Sequence, residues 1–168
     1  MRLFRRIGLY LSLATLWFAH AGRYYALLLT GSGRKDVQGV RMILVRNGDV
    51  VLIKHWYAPS VWTLPGGRVG RKESLEDAIK REVREETGFK VRSIDGVVGT
   101  YRGSLGERDV VRVYHTSDFE GFMSLVPILE VSIRAWFSIK DLPEEISPAN
   151  RRRIEAYRDG VRGETGRW

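Results

Sequence analysis

One segment, residues 74–87, constrains the fold more than any other, because its ends and its buried face are both readable from the sequence. Ser74 stands three residues before Asp77, a spacing typical of a capped helix start. Gly88 follows as a helix stop. The apolar residues recur at helical spacing and form one stripe: Leu75, Ala78, Ile79 and Val83. The stripe predicts an amphipathic helix whose apolar side packs against a sheet.

The opposite side of this predicted helix carries three acidic residues, Glu82, Glu85 and Glu86. Residues three and four apart are neighbours on a helix surface, so these like charges repel one another. Arg81, four residues before Glu85, offsets part of the repulsion. A divalent cation would offset more, and carboxylate oxygens suit Mg²⁺, which leaves its other positions for water and substrate phosphates. Taken alone, three such residues are also typical of a solvated face.

A glycine turn, Pro65-Gly66-Gly67, comes shortly before the helix. Glycines let the backbone approach a ligand closely. A turn that leads into a helix also presents backbone amides to an anion. An acidic, metal-binding face beside such a turn predicts a phosphorylated substrate whose charge a metal ion neutralises.

Strand and helix signals alternate along the rest of the chain. Asn47-Gly48, between two β-rich runs, predicts a hairpin. Residues 91–101 and 131–139 are each predicted to form a strand. Ser147 followed by a proline predicts the start of a last helix, and Gly160 its end. Strands before, between and after two helices indicate a mixed sheet with helices packed against it.

The composition excludes several classes of protein. The 168 residues fit one domain, and the absence of Cys excludes a disulfide scaffold, a thiolate zinc site and a cysteine nucleophile. The net charge of +8 belongs to the ends: residues 1–40 hold six Lys or Arg and one acidic residue, and 151–168 hold six Arg and three acidic residues. Residues 41–150 are neutral overall, so no nucleic-acid partner is predicted.

The N-terminal region differs from the rest, and residues 1–33 are predicted to be a basic, apolar helical arm and linker before a domain at 34–168. Arginines precede a charge-free run over 7–22. This pattern fits a secretory signal with Ala19-His20-Ala21 as cleavage site, a membrane-surface helix, or an arm packed on its own domain or on a partner subunit. A membrane-spanning helix is disfavoured because the uncharged run is shorter than about 20 residues.

The glycine turn and the acidic helix together match the pattern G-x5-E-x7-R-E-U-x-E-E-x-G-U, in which U is apolar, without a gap or substitution. The matching residues are Gly67, Glu73, Arg81, Glu82, Val83, Glu85, Glu86, Gly88 and Phe89. This is the Nudix box, and the chain resembles the Nudix hydrolase family over roughly residues 39–145. The lead-in Trp62 to Gly67 and the later Trp136-Phe137 are also similar to that family.

The resemblance implies an α/β fold, a Nudix-like α/β/α sandwich with a mixed β-sheet. It implies hydrolysis of the pyrophosphate bond of a nucleoside diphosphate linked to another moiety, with Mg²⁺ or Mn²⁺ as cofactor. By position, Glu82 and Glu86 are expected to bind the metal, with Glu85 beside them, and Arg81 to hold this cluster in place. Gly66, Gly67 and Glu73 are expected to form the substrate loop. The proton acceptor is expected to be Glu82 or Glu130, the latter six residues before Trp136.

The resemblance leaves the substrate open. No proline occurs between Pro65 and Pro127, which disfavours an ADP-ribose-type enzyme, and the longer motif of NADH pyrophosphatases is absent. The predicted partners are a nucleoside diphosphate derivative, a membrane surface in peripheral contact with residues 1–30, and a second copy in a homodimer. A cytoplasmic location is favoured over export. The alternative function is a catalytically weak binding module that docks on anionic membrane or RNA through its basic ends.

Overall fold

Strands outnumber helices in the computed structural model, which describes residues 7–8, 10–15, 18, 37–103, 109–124 and 130–168. A short N-terminal helix, α1, covers residues 10–15, and we include in it the described helical residues 7, 8 and 18. The other elements follow in chain order: β1 (Val37–Arg46), β2 (Asp49–His55), β3 (Ala58–Thr63), α2 (Leu75–Thr87), β4 (Lys90–Val91), β5 (Gly96–Arg102), β6 (Asp109–Thr116), β7 (Phe119–Glu120), β8 (Val131–Ser138), α3 (Pro148–Arg158) and β9 (Glu164–Arg167).

The central sheet is mixed, as predicted. Its strand order is β3-β2-β1-β6-β5-β9, and β8 pairs with β2 beside this path. The β1–β6 and β5–β9 pairs are parallel, whereas the remaining pairs are antiparallel. Strands β4 and β7 form a separate two-stranded ribbon. The β1–β2 hairpin turns at Asn47 and Gly48, whose φ angles of 53° and 83° are the left-handed values that this turn requires.

Each face of the sheet is covered by one helix, which confirms the predicted α/β/α sandwich. On one face, Val40, Met42 and Leu44 of β1 pack with the apolar stripe of α2. On the other face, Ile43 of β1 packs in a second cluster with Ile154 of α3. The alternation follows from the two-residue period of a strand, which sends successive side chains to opposite faces.

Helix α2 begins and ends where the sequence predicts. The Ser74 hydroxyl accepts the Asp77 N–H at 3.0 Å and donates to the Asp77 carboxylate at 2.7 Å. Gly88 ends the helix in the left-handed region, with a φ of 86°, and its N–H donates to the carbonyl of Arg84. Gly88 is also crowded by a loop that follows much later in the chain, because a Cβ at Gly88 would lie 2.9 Å from the carbonyl oxygen of Phe122.

One predicted strand is wrong, and one strand has no counterpart in the sequence prediction. The single strand expected over 91–101 is instead β4 and β5, because Val91 pairs with Phe119 in the small ribbon and the chain joins the main sheet only at Gly96. Strand β9 was not predicted, since it is short, polar and fully exposed. At α3, Pro148 follows Ser147 as predicted, but the Ser147 side chain makes no capping hydrogen bond.

The N-terminal arm is helical where it is described, and it contacts the domain. The Ser60 N–H of strand β3 donates to the Ser12 hydroxyl of α1 at 3.1 Å. In the part of the chain that the structure covers, no helix is both long and apolar enough to cross a membrane. The proposed cleavage site at Ala19-His20-Ala21 and the predicted linker and boundary near residue 33 lie outside the described residues.

The crowding at Gly88 predicts a specific loss of stability. Alanine at Gly160, which has a φ of +80° and open space around it, costs only the left-handed backbone, about 1 kcal/mol of unfolding free energy. Alanine at Gly88 adds the clash with backbone, so we expect a loss of roughly 2–4 kcal/mol. Urea unfolding of Gly88→Ala and Gly160→Ala measures both values. Equal losses would show that the loop at Phe122 does not constrain this cap.

Candidate active site

The loop before α2 is bound along strand β1. Three backbone hydrogen bonds tie the two segments together: Met42 N–H to Pro65 O at 2.9 Å, Val40 N–H to Gly67 O at 2.9 Å, and Val69 N–H to Gln38 O at 3.0 Å. The glycine turn is therefore a rigid extension of the sheet edge, and it faces the helix that carries the acidic residues.

The two glycines of the turn allow close contacts on two sides. At Gly66, with a φ of 140°, a Cβ would lie 2.1 Å from the carbonyl oxygen of Val40 in β1. The Gly66 N–H donates to Oε2 of Glu86 at 2.6 Å. At Gly67, a Cβ would lie 2.4 Å from the carboxyl carbon of Glu82. The absence of side chains thus lets the turn pass close to β1 at Gly66 and close to the acidic helix at Gly67.

The Arg81 guanidinium joins the loop to the helix. It makes a two-pronged contact with Glu73, from Nε to Oε1 at 2.8 Å and from Nη2 to Oε2 at 2.9 Å. Its Nη1 donates to Oε1 of Glu82 at 2.8 Å and to Oε2 of Glu85 at 3.1 Å. Its Nη2 also donates to the carbonyl of Arg68 at 3.0 Å. The surrounding carboxylates hold the pKa of Arg81 well above its usual value, despite the opposing effect of burial.

Glu73 fixes the end of the loop. Besides Arg81, its Oε2 accepts the Gly70 N–H at 2.9 Å. The pKa of Glu73 is lowered, mainly by the hydrogen bond from Arg81, with burial acting in the opposite direction. The carboxylate is therefore charged at neutral pH, and it holds residues 70–73 against the first turns of α2.

The glutamates of the predicted acidic cluster, Glu82, Glu85 and Glu86, do not share one exposed face, which corrects the sequence prediction. The Glu85 side chain is 56% exposed, whereas that of Glu82 is 15% exposed. Glu86 is buried with the apolar stripe and points towards the glycine turn. Its second oxygen lies 3.9 Å from Nε2 of His55. The loop and β2 close over Glu86, and neither contact is visible in the periodicity of the helix alone.

Burial raises the pKa of Glu86 to about 8. The nearby carboxylates of Glu82 and Glu130 raise it further, while the Gly66 N–H and Arg41 lower it. The exposed residue Glu130 is thus within electrostatic range of Glu86. Its segment is held in place by the Trp56 N–H, which donates to the Glu130 carbonyl at 3.1 Å. Glu82 and Glu130 thus lie within electrostatic range of Glu86, while Glu73 and Glu85 are connected to Glu82 through Arg81.

Sequence reasoning missed His55, Arg41 and Arg134 as neighbours of the site. His55 stacks on Tyr57, with ring centroids 4.9 Å apart, and lies against Glu86. Arg134 of β8 donates from Nε to the backbone carbonyl of Glu86. These contacts arise because β2 and β8 pair over their whole length. No local motif identifies these neighbours, so predicting them would have required the register of the paired strands.

The residues present fit a hard divalent cation. Among the described residues, no three His, Asp or Glu side chains are arranged so that they alone could hold a metal ion. Arg81 holds Glu82 and Glu85, and Gly66 holds Glu86. Mg²⁺ needs no such cage, since it typically binds one or two carboxylates and takes its other oxygens from water and substrate phosphates. A buried carboxylate with like charges nearby is the kind of group that a cation stabilises.

Comparison with known proteins decides the family. A family profile described as "NUDIX domain" matches residues 36–158, which include the loop, α2 and Glu130. The chain belongs to the Nudix family. The Nudix box predicted from residues 67–89 is thereby confirmed as a family signature, and the α/β fold agrees with solved Nudix structures.

Individual relatives support a pyrophosphohydrolase. The chain is 29% identical over 120 residues to a Bacillus subtilis protein named provisionally as an 8-oxo-dGTP diphosphatase, an alignment that covers 71% of this chain and 78% of that protein. It is 32% identical over 108 residues to the NAD-capped RNA hydrolase NudC of Pseudomonas aeruginosa, covering 61% of this chain and 36% of NudC.

A solved structure resembles this chain over most of its domain. The crystal structure of a MutT Nudix hydrolase from Burkholderia pseudomallei matches with a TM-score of 0.63 and 31% identity, over 71% of this chain and 96% of that one. In several other curated relatives the chain spans a smaller share, between 8% and 52% of their length.

We expect alanine to destabilise the protein strongly at Gly66 and only weakly at Gly67. Gly66→Ala places a methyl group against the backbone of β1, so we expect a loss of at least about 3 kcal/mol in unfolding free energy or no folding at all. Gly67→Ala meets only the flexible Glu82 side chain, so its loss should stay below about 1 kcal/mol. Thermal and urea unfolding of both variants checks this. Equal stability of the two variants would contradict the contacts of Gly66 with β1.

Arg81 predicts a change in how stability depends on pH. A carboxyl with a lowered pKa stabilises the fold above its ordinary pKa, and this contribution disappears as the pH falls through the lowered value. Arg81→Gln removes the main cause of the lowered pKa of Glu73. The unfolding free energy should therefore fall less steeply between about pH 5 and pH 3 in this variant than in the unaltered chain.

Urea unfolding across that pH range measures the slope. The matched control is Arg84→Gln, on the same helix, because the Arg84 side chain is exposed and no ion pair involves it in the part of the chain that is described. This control should keep the slope of the unaltered chain. A slope for Arg81→Gln that equals the control's would show that Glu73 does not depend on Arg81.

Proposed function

We propose that this Nudix protein hydrolyses the pyrophosphate bond of a nucleoside diphosphate linked to another moiety, with Mg²⁺ as its cofactor and Mn²⁺ as a substitute. The observation that carries the proposal is the packing of Glu82 and Glu86 against Gly67 and Gly66. This contact places two carboxylates beside a loop whose backbone is fixed to the sheet. Oxygen ligands of this kind, next to backbone that an anion can approach, suit a metal-bound diphosphate.

In this proposal, Glu82 and Glu86 hold the metal, with Glu85 at its exposed side. When bound there, Mg²⁺ neutralises the charge of the diphosphate oxygens and lowers the pKa of a water molecule that it binds. The hard, all-oxygen donor set of these residues is the chemistry that Mg²⁺ and Mn²⁺ prefer over softer metals. The deep burial of Glu86 supports its place in the set, because an isolated buried carboxylate is costly.

Arg81 and Glu73 act as positioning residues. The Arg81 fork fixes the rotamers of Glu82 and Glu85, and its contact with Glu73 fixes the distance between the loop and the helix. A planar guanidinium does this better than an ammonium, because it donates in several fixed directions at once. The loop at Gly66 and Gly67 is then held rigid beside the substrate's phosphates, which reduces the entropy lost on reaching the transition state.

We assign the proton acceptor to Glu130. Attack of water at phosphorus releases a proton, and a carboxylate within reach must take it. The Glu82 carboxylate already accepts a hydrogen bond from the Arg81 guanidinium at 2.8 Å, and we assign it to the metal. Glu130 is exposed and lies within electrostatic range of Glu86, so its carboxylate is open to solvent beside the cluster. The proton therefore passes from the attacking water to the Glu130 carboxylate and on to solvent.

The names of the relatives define the substrates to test first. One relative is named for 8-oxo-dGTP and another for NAD-capped RNA, and both names describe hydrolysis within a nucleotide. A panel of 8-oxo-dGTP, dGTP, NAD and ADP-ribose, each with Mg²⁺, covers triphosphates and dinucleotides alike.

The homodimer and the cytoplasmic location stay predictions from the sequence. The binding-module alternative is disfavoured, since every residue of the Nudix box is present.

The metal assignment predicts a loss of turnover in two isosteric variants. Glu82→Gln and Glu86→Gln remove one negative charge each, so kcat should fall by about 10²–10⁴-fold and metal affinity by at least about tenfold. The fold should survive, because a glutamine carbonyl at 86 still accepts the Gly66 N–H. Glu130→Gln should lower kcat to a similar degree while leaving metal affinity unchanged. Steady-state kinetics on the best substrate, with calorimetry of Mg²⁺ binding, measures both.

The control variant is Glu76→Gln, which changes an exposed glutamate in the first turn of the same helix. It should retain full activity and metal affinity. Chelation of divalent cations should abolish turnover by the unaltered chain, and added Mg²⁺ should restore it. Full activity in both Glu82→Gln and Glu86→Gln would overturn the assignment of the metal ligands, whatever the substrate.

A further inference from the structure

The N-terminal helix α1 turns its apolar side outwards. Described helical residues spaced at i, i+4 and i+11 form a stripe of Ile7, Leu11 and Phe18, with Tyr10 beside it. These four side chains are between 47% and 69% exposed. A helix that only packs on its own domain would show the reverse pattern, with apolar residues inward and polar residues outward.

Two small residues of α1, Gly8 and Ser12, contact the domain at Ser60. Ser12 is 5% exposed, and its hydroxyl accepts the Ser60 N–H at 3.1 Å. A Cβ on Gly8 would lie 3.0 Å from the Ser60 hydroxyl, so the helix packs closely here. Ser60 belongs to β3, an outer strand of the sheet order, whose backbone amides need a cover. These contacts set the rotation of α1, so the outward position of the apolar stripe is a property of the fold.

The charged residues before and after α1 in the sequence indicate which kind of partner could bind the apolar stripe. Residues 7–22 carry no charged side chain, while Arg2, Arg5 and Arg6 precede them and Arg23 follows. The first acidic residue in the chain is Asp36. A second copy of the chain would bring the same positive charges together, which disfavours a homodimer through this face. An apolar stripe flanked by arginines complements a surface that is apolar inside and negative outside.

We propose that α1 docks the protein on an anionic lipid membrane, with Ile7, Leu11 and Phe18 in the boundary between headgroups and acyl chains. The sequence before Asp36 holds arginines and no acidic residue, which favours a negatively charged surface. In the described parts of the chain no helix can cross a bilayer, so the contact is peripheral. A single short helix gives reversible binding that depends on lipid charge and salt, because apolar and electrostatic contributions must add. This proposal does not rest on the proposed hydrolase activity.

Co-sedimentation of the full chain with vesicles tests the proposal. One set contains phosphatidylcholine alone and the other contains phosphatidylcholine with about 25% phosphatidylglycerol, each at low and high salt. We expect binding to the anionic vesicles that weakens at high salt, and little binding to the neutral ones. The double variant Leu11→Ser/Phe18→Ser should bind the anionic vesicles at least about tenfold more weakly.

The matched control is Phe122→Ser, which removes an aromatic side chain that is 91% exposed but lies outside α1. It should bind vesicles like the unaltered chain, and both variants should keep the hydrolase activity and circular dichroism of that chain. Absence of sedimentation by the unaltered chain, or equal binding by the double variant and the control, would overturn the proposal. So would a lipid-free dimer of the unaltered chain that the double variant converts to a monomer, since a second copy would then cover the stripe.

Discussion

The contacts of one guanidinium support the rest of the site. Arg81 lies between the loop and the helix, and it binds Glu73, Glu82 and Glu85 together with a backbone carbonyl of the loop. Without it, adjacent carboxylates on α2 would repel one another at a surface that is only partly solvated. The fork geometry of arginine satisfies several acceptors with one positive charge, so the cluster stays folded while it keeps a net negative charge.

Arg81 makes hydrogen bonds to Glu73, Glu82 and Glu85, whereas the Glu86 carboxylate is bound by a backbone N–H. This carboxylate is buried, with the Gly66 N–H at 2.6 Å and His55 at 3.9 Å. Burial raises its pKa by more than the Gly66 N–H and the positive charge of Arg41 lower it. A chain selected only for stability would place an apolar residue here. A buried carboxyl group that local rules disfavour is expected at a functional site, where a bound cation can stabilise its charged form.

The sequence predicts those parts of the structure that depend on neighbours along the chain. The caps of α2 at Ser74 and Gly88 and the Asn47-Gly48 hairpin follow from local chemistry, and all of them appear in the structure. The burial of Glu86 and its contact with Arg134 do not follow from local chemistry, because both depend on where β2 and β8 pair. The division of 91–101 into two strands has the same origin, since β4 leaves the main sheet to pair with β7. Register between distant segments is the information that periodicity lacks.

Strand β3 links the two proposals physically. Ser60 near its middle binds α1, while Thr63 at its end pairs with Ile53 of β2 and leads directly into the glycine turn. The turn itself is bonded to β1, so the path from α1 to Gly66 runs through sheet backbone with little freedom. If α1 docks on a lipid surface as proposed, these backbone connections would restrict how far the glycine turn can move relative to that surface.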